Sequence, residues 1–166
     1  MKILVTGPSG LFGPILVKKL LGEGHDVTAL VHSRSLDISG CRTVYGDITD
    51  INTLKHHFNE ADAVYHLATA KGKSDSFINV NIGGLFNVLE LVRTSEKPLP
   101  LVLLSGDNVL PIWDYPTTKP LDENHPYLHV DDAYGLSKVI EEVMALQYIK
   151  KYLLPITILR SSWIME

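Results

Sequence analysis

The sequence predicts an α/β protein with a doubly wound parallel sheet of about six strands and helices on both of its faces. Short apolar runs alternate with longer amphipathic segments along the 166 residues, which is typical of strand–helix–strand units. The apolar runs are hydrophobic throughout, as in strands that helices cover on both sides. Right-handed connections between such strands give a Rossmann-type sheet, whose ligand crevice lies at the carboxyl ends of the strands.

The predicted elements follow one another in a regular order. We expect strands at residues 2–6, 26–31, 42–45, 61–67, 99–105 and 155–159. Helices are expected at residues 11–21, 51–58, 77–94 and 133–152. Asp50 and either Asp131 or Asp132 can cap two of these helices with a carboxylate. The segment 111–126 is rich in proline and is predicted to be a long loop, and loops of that length are often functional.

Composition and charge exclude several classes of protein. The net charge is −4, with acids and bases mixed along the chain, so we expect no nucleic-acid partner. No apolar stretch approaches the ~20 residues of a membrane span, so we expect no membrane partner. Cys41 is the single cysteine, which rules out an internal disulfide and fits a cytoplasmic protein. The length favours one domain that covers residues 1–166.

The histidines give no metal-binding pattern, and we predict no metal site. No group of cysteines and histidines has the spacing of metal ligands. His56 and His57 are adjacent and would point about 100° apart on a helix. We therefore expect them to lie on a solvated helix surface and not to face one metal jointly.

The strongest functional signal is a glycine loop between the first strand and the first helix. Gly7, Gly10 and Gly13 are three residues apart, with Leu11 and Phe12 between the last two. A dinucleotide pyrophosphate can reach backbone N–H groups only where no Cβ intervenes, and the helix N-terminus adds a positive dipole end. In this strand–turn–helix context the loop predicts a site for NAD(H) or NADP(H), although an ordinary βα turn would look similar.

The end of the second strand bears on which of the two cofactors binds. Sites for NAD usually have an acidic residue there that holds the ribose 2′-hydroxyl. Here the strand ends in His32, Ser33 and Arg34, which could instead receive a 2′-phosphate. The sequence therefore leans slightly towards NADP and leaves NAD open, since Arg34 could equally be a solvated loop residue.

Tyr134 and Lys138 are the best catalytic candidates. Their spacing of four places both side chains on one face of the last helix, one turn apart. A tyrosine with a pKa near 10 exchanges protons at neutral pH only if that pKa falls by roughly three units. A neighbouring ammonium lowers a tyrosine pKa, so we expect Lys138, helped by the positive nicotinamide of an oxidised cofactor, to supply much of this fall. The same spacing also occurs in ordinary surface pairs.

With both motifs in place, the chain resembles the extended short-chain dehydrogenase/reductases, in their NAD-dependent epimerase/dehydratase branch. The loop from Thr6 to Gly13 is similar to the TGxxGxxG loop of that family. The resemblance implies that Asp47 and Ile48 contact the adenine, that Leu67 and Ala68 line the cofactor, and that Asn81 is a structural and active-site asparagine.

The resemblance also implies roles for the residues of the last helix and strand. Tyr134 would be the general acid/base, and Lys138 would hold the nicotinamide ribose. Glu142 stands where the family has a helix glutamate. The substrate would be a nucleotide-sugar or a small carbonyl compound, with hydride passing between it and the cofactor. Relatives commonly dimerise through the helices that correspond to residues 77–94 and 133–152, so a homodimer is expected.

Two departures from the family pattern weaken the prediction of catalysis. Gly106 stands where the family has a serine or threonine hydroxyl, so that Ser105 or Asp107 would have to replace it, or the substrate hydrogen bond is lost. The family's substrate-binding region follows the sixth strand, and this sequence stops at Glu166, so we expect that region to be absent. The alternative function is a regulatory or sensor module that binds NAD(P) without turnover.

Overall fold

A computed structural model describes residues 1–71, 76–110, 120–127 and 132–162. Its centre is a six-stranded sheet in which every pairing is parallel. The strands are β1 (Lys2–Thr6), β2 (Asp26–Val31), β3 (Arg42–Tyr45), β4 (Ala63–His66), β5 (Leu101–Gly106) and β6 (Ile156–Ser161). Their order across the sheet is β3-β2-β1-β4-β5-β6. The prediction of a doubly wound parallel sheet of about six strands is confirmed.

The helices connect these strands and cover both faces of the sheet. They are α1 (Gly13–Gly22), α2 (Ile51–Glu60), α3 (Gly84–Arg93) and α4 (Ala133–Tyr152). Two of them begin at the predicted aspartate caps. The Asp50 carboxylate accepts a hydrogen bond from the Asn52 N–H at 3.0 Å, and that of Asp132 accepts one from the Gly135 N–H at 2.6 Å.

The prediction of one regular helix over residues 77–94 was wrong in its first half. Phe77–Gly83 forms a π-helical segment, and the α-helical geometry of α3 begins only at Gly84. Wider π turns insert one residue into a helical run and are frequent at functional sites. The glycines that end the segment have low helix propensity, which makes this departure from α geometry less costly.

Two apolar clusters hold the sheet between the helices. Leu4 of β1 belongs to a large cluster with α2, α3 and α4. Its neighbours Ile3 and Val5 belong to a second cluster with α1. Because successive strand residues point to opposite faces, the two clusters lie on the two faces of the sheet. In the described part of the chain, no helix has the length and apolar character needed to cross a bilayer.

Candidate functional site

A cleft opens at the carboxyl ends of β1, β2 and β4, where the chain connections change direction across the sheet. Its volume is about 520 Å³, within the usual range of small-molecule sites. The connections leave β1 and β4 in opposite directions, so the loops that follow these two strands diverge. Doubly wound sheets bind their ligands at such a point. The residues along the cleft that the sequence predicted for cofactor binding are Gly7, Gly10, His32, Ser33, Arg34, Asp47, Ile48, Leu67 and Ala68.

The glycine loop forms one wall of the cleft, and its three glycines have different reasons to be there. Gly7 has a φ of +66°, and a Cβ at this position would collide with the backbone of Leu67 and Ala68. A Cβ on Gly13 would collide with the Pro8 backbone. A Cβ on Gly10 would make only an ordinary van der Waals contact, 3.6 Å from the Gly7 carbonyl oxygen. Gly7 and Gly13 therefore permit close backbone packing, and Gly10 leaves room for a ligand.

The opposite wall contains Asp47 and its hydrogen bonds. The Asp47 carboxylate accepts hydrogen bonds from the Thr49 N–H at 2.9 Å and from the Thr49 hydroxyl at 2.8 Å. These bonds lower the pKa of Asp47, so the carboxylate is ionised at neutral pH. His32 Nε2 lies 3.7 Å from Asp47 Oδ2. Across the cleft, the Ser9 hydroxyl donates to the Arg34 carbonyl at 2.8 Å and ties the glycine loop to the end of β2.

Asn81 connects the cleft to α4 through buried hydrogen bonds. Its side chain is fully buried, and Oδ1 accepts from the Ala70 N–H at 2.7 Å. Its Nδ2 donates to the Ser137 hydroxyl at 2.9 Å. Ala70 lies on the cleft, and Ser137 is next to Lys138. Asn81 therefore holds the loop after β4 against the helix that carries the candidate catalytic pair.

Tyr134 and Lys138 share one face of α4, as predicted. The pKa of Tyr134, however, is raised and not lowered in the protein without cofactor. Lys138 Nζ lies 5.8 Å from the centre of the Tyr134 ring and 2.8 Å from Glu141 Oε2. Burial raises the pKa of Tyr134, the Thr69 side chain opposes this, and the carboxylates of Glu141 and Asp132 raise it further. The lowering expected from Lys138 is therefore not seen in the protein without cofactor, in which the ammonium is paired with Glu141.

Ser105, the candidate replacement for the missing hydroxyl, is buried beside Glu142. The Ser105 side chain is 4% exposed. Burial raises the pKa of Glu142, but hydrogen bonds from Arg160 and Tyr127, with a contribution from the nearby Ser105 side chain, outweigh it and lower that pKa overall. Ser105 Oγ itself has no hydrogen-bond partner within the described residues. Arg160 Nη2 lies 2.8 Å from Glu142 Oε2, and the Tyr127 hydroxyl donates to the same oxygen at 2.8 Å. Ser105 thus belongs to a buried polar cluster, and it is not on the cleft wall.

Asn108, which the sequence did not single out, occupies the space next to Gly106. A Cβ on Gly106 would lie 2.6 Å from Asn108 Oδ1. The Asn108 amide therefore takes the space into which a serine or threonine side chain at 106 would extend. The short helical turn Asp107–Val109 that contains Asn108 packs against α4. A polar group is thus present near the position where the family has its hydroxyl.

Several predicted residues lie outside the cleft wall itself. Leu11 is exposed, and the Phe12 carbonyl begins α1 by accepting from the Leu16 N–H at 3.1 Å. Residues predicted for the site but not found along the cleft are Leu11, Phe12, Gly13, Asn81, Ser105, Tyr134 and Lys138. Thr6, Pro8 and Ser9, which belong to the predicted glycine loop, also line the cleft. Cleft residues without a predicted role are Leu30, Val31, Gly46, Thr49, Thr69, Ala70 and Val80. Most of these residues are adjacent in sequence to predicted ones, and this adjacency is the signal from which they could have been predicted.

His66 was another residue without a predicted role. It lies at the end of β4 and is 1% exposed. Its Nδ1 forms a hydrogen bond with the Thr6 hydroxyl at 2.8 Å, while Nε2 has no partner within the described residues. Burial, helped by the Lys138 charge, lowers the pKa of His66 to about 3. The imidazole is therefore neutral and links the ends of β1 and β4 behind the glycine loop.

The histidine pair on α2 is closer together than the sequence suggested. One ligand atom each from His56, His57 and Glu60 lie within 4.8 Å of one another, so the expectation that the histidines cannot face one point was wrong. Side-chain rotation offsets the 100° between adjacent helix positions. Glu60 is already paired with Arg42 at 2.7 Å, which competes with any role as a metal ligand.

The sequence profile of the NAD-dependent epimerase/dehydratase family matches residues 3–164. The chain belongs to this family. It is 30% identical to an L-arabinose 1-dehydrogenase (NAD(P)(+)) of Haloferax volcanii, over 99% of this chain and 67% of that protein. It is 27% identical to a dTDP-glucose 4,6-dehydratase of Mycobacterium tuberculosis, over 92% of this chain and 50% of that protein.

A solved family member has the same fold. The UDP-glucuronic acid 4-epimerase from Bacillus cereus, in complex with NAD, superposes with a TM-score of 0.80 at 26% identity. The match covers 98% of this chain and 56% of that structure. The chain thus spans about half to two thirds of the length of these family members. The resemblance inferred from the glycine loop and the tyrosine–lysine pair is confirmed.

Proposed function

We propose that this chain binds NAD(H) or NADP(H) in the cleft and acts with it as an oxidoreductase or epimerase. The observation that carries the proposal is the cleft at the carboxyl ends of β1, β2 and β4, one wall of which is a glycine loop. Backbone packs so closely there that Gly7 and Gly13 admit no Cβ. Such a loop lets a pyrophosphate contact backbone N–H groups at the start of a helix. Membership of an NAD-dependent family supports the same conclusion.

The residues along the cleft would hold the adenosine and pyrophosphate parts of a dinucleotide, and Tyr134 and Lys138 lie beyond its lining. The pyrophosphate would lie against Gly10, and the adenine half would lie between Ile48 and the end of β2. The nicotinamide half would extend past Ala68 towards Tyr134. When bound, the cofactor would supply the hydride acceptor or donor, and the chain would orient it.

For the adenosine ribose, we propose a preference for NADP through Arg34. His32, Ser33 and Arg34 line the cleft, and none of them supplies the carboxylate that usually binds a 2′-hydroxyl. Dissociation constants of NADH and NADPH, compared in the wild type and in Arg34→Gln, test this. Weaker binding of NADPH alone in the variant is expected. Tighter binding of NADH than of NADPH to the wild type would contradict the preference.

In the reaction, Tyr134 would exchange a proton with the substrate oxygen while the substrate carbon exchanges hydride with the cofactor. Lys138 would hold the ribose next to it. We propose that the Asn108 amide provides the substrate hydrogen bond that a hydroxyl at Gly106 provides in the family. We propose a nucleotide-sugar or a small carbonyl compound as the substrate class; the similar dTDP-glucose dehydratase and UDP-glucuronic acid epimerase support the nucleotide-sugar.

A cofactor-binding module without turnover is the second candidate. The raised pKa of Tyr134, caused first by burial, favours it, since this tyrosine is not ionised at neutral pH before cofactor binds. The glycine at 106 favours it as well. The two candidates share the cleft and differ in whether hydride is transferred.

The test measures binding and chemistry separately. Binding of NADH and NADPH is followed by their fluorescence, and hydride transfer by absorbance with a panel of nucleotide-sugars, aldehydes and ketones. For the enzyme, Tyr134→Phe should abolish transfer and retain binding. Tyr152→Phe, at the far end of the same helix, is the matched control and should retain both. Binding without transfer to any compound would favour the module, and no binding would refute both candidates.

We also propose a homodimer through the faces of residues 77–94 and 133–152. Four aliphatic side chains of α4 are 36–50% exposed, those of Leu136, Ile140, Val143 and Leu146. Ile78 and Phe86 are 65% and 48% exposed on the neighbouring segment. Sedimentation equilibrium should detect a dimer that Ile140→Glu dissociates. A wild type that stays monomeric at high micromolar concentration would contradict this.

A further inference from the structure

A buried glutamate next to the family position contacts the candidate catalytic lysine. The family resemblance places a helix glutamate at Glu142, and the chain has another one directly before it, Glu141. Glu141 Oε2 lies 2.8 Å from Lys138 Nζ, and the side chains are 1% and 4% exposed. Burying such a pair costs desolvation of both charges. Because this buried pair lies near Tyr134, its two charges act on the pKa of that tyrosine.

The spacing along α4 places Lys138 between two competing groups. Tyr134 lies four residues before it and Glu141 three residues after it, so all three lie on one helix face. The ammonium lies 2.8 Å from the Glu141 carboxylate but 5.8 Å from the centre of the Tyr134 ring. It also donates to the Leu104 carbonyl at 3.4 Å. Of its three N–H donors, one remains for a ribose hydroxyl.

Other charged and titratable groups lie near the face of α4 that carries Tyr134, Lys138 and Glu141. Lys71, in the loop after β4, has its Nζ 5.6 Å from the centre of the Tyr134 ring. His66, on β4, interacts with Lys138. Asp132, at the helix N-cap, interacts with Tyr134. Glu142 adds its charge beside Glu141. Glu141 is the group that contacts the lysine directly.

We propose that Glu141 is a positioning residue, which holds the Lys138 ammonium in a buried pair and sets how much positive charge reaches Tyr134 and a bound cofactor. This inference rests on the proposed function of the cleft, because it assigns Lys138 the task of holding the ribose. The fixed pair keeps the lysine in one rotamer, ready for the ribose. The same pair weakens the electrostatic effect of the lysine on Tyr134.

The electrostatics agree with this geometry. Burial raises the pKa of Tyr134, and the Glu141 carboxylate adds to that rise. Burial also raises the pKa of Glu141, against the opposing effect of Lys138. Glu141 Oε1 is buried and has no hydrogen-bond partner within the described residues. Among the described residues, it is therefore the lysine contact that balances the carboxylate.

The direct test is titration of Tyr134 in Glu141→Gln. Tyrosines labelled with ¹³C at Cζ are titrated by NMR in the absence of cofactor, and the Tyr134 signal is assigned with Tyr134→Phe. Glutamine keeps the shape and removes the charge, so the Tyr134 pKa should fall by about one unit. Glu142→Gln is the matched control, because it also breaks a buried ion pair but should leave that pKa unchanged. An unchanged pKa in Glu141→Gln, or an equal fall in both variants, would overturn the proposal.

A double variant keeps the test decisive if Glu141→Gln does not fold. Lys138→Met combined with Glu141→Met replaces the pair by apolar side chains, which is often tolerated in a buried site. If the two charges cancel at Tyr134, its pKa should stay within about half a unit of the wild-type value. A rise of a unit or more would show that the lysine acts unopposed. Neither titration needs cofactor or substrate, so failure of the proposed function would leave both results interpretable.

Discussion

Replacing His66 with asparagine should change how the stability of the protein depends on pH. The imidazole is buried against Thr6, and its pKa is lowered to about 3, mainly by burial. In the unfolded chain a histidine titrates near 6.5. Between these values the unfolded state binds a proton that the folded state does not. The free energy of unfolding therefore decreases as the pH falls from 6.5 towards 3.

The size of this effect follows from the difference between the two pKa values. One unit corresponds to about 1.4 kcal/mol, so the full contribution lost down to pH 3 is about 5 kcal/mol. Between pH 6 and pH 4, the part lost is about 2.5 kcal/mol. That loss is a large fraction of the stability of a typical domain, which is about 5–15 kcal/mol.

Urea unfolding followed by circular dichroism at pH 6, 5 and 4 measures the effect. His66→Asn should be less stable than the wild type at pH 6, because it leaves a cavity. Its stability should then fall by about 2.5 kcal/mol less than that of the wild type on going to pH 4. His32→Asn is the control for loss of an exposed histidine, because the His32 side chain is 73% exposed, and it should not reproduce the change expected of His66→Asn. Equal slopes for the wild type and His66→Asn would refute the reasoning.

Three further substitutions test other parts of the structure. Gly13→Ala should destabilise the protein by about 1–3 kcal/mol through the clash with Pro8 and weaken NADH binding, measured by urea unfolding and fluorescence titration; unchanged affinity would contradict this. Arg160→Met should lower the free energy of unfolding by about 3–5 kcal/mol, because it leaves the buried Glu142 carboxylate without its ion-pair partner. The loss should be smaller at acidic pH, where that carboxyl is protonated, and a loss that does not depend on pH would contradict this. Asp50→Ala should lower the melting temperature through loss of a helix cap worth about 1 kcal/mol, and no change would argue against the cap.

The sequence predicted the sheet well because its signals are local and repeated. Each strand is a short apolar run, and the glycine loop, with Gly7 at its start, marks the first crossover. Right-handed connections between parallel strands then give a sheet with helices on its faces. The caps at Asp50 and Asp132 were predictable for the same reason, since a cap depends on neighbours in the chain.

The electrostatics of the site could not be predicted, because they depend on contacts between distant elements and on burial. The spacing of Tyr134 and Lys138 was visible, but the partner that Lys138 takes depends on which side chains are shielded from water. The same holds for Asn108, whose amide fills the space beside Gly106. The role of Ser105 was left open at the sequence level, and its burial beside Glu142 follows from the packing of β5 against α4.

The π-helical segment Phe77–Gly83 makes the number of residues before α3 as important as their identity. Asn81 reaches both Ala70 and Ser137 only at its present rotational phase. Deleting a single residue between 77 and 80 would turn the phase by about 100° while leaving every hydrogen-bonding side chain in the sequence. Such a deletion should weaken the joint between the cleft and α4 although Asn81 itself is retained.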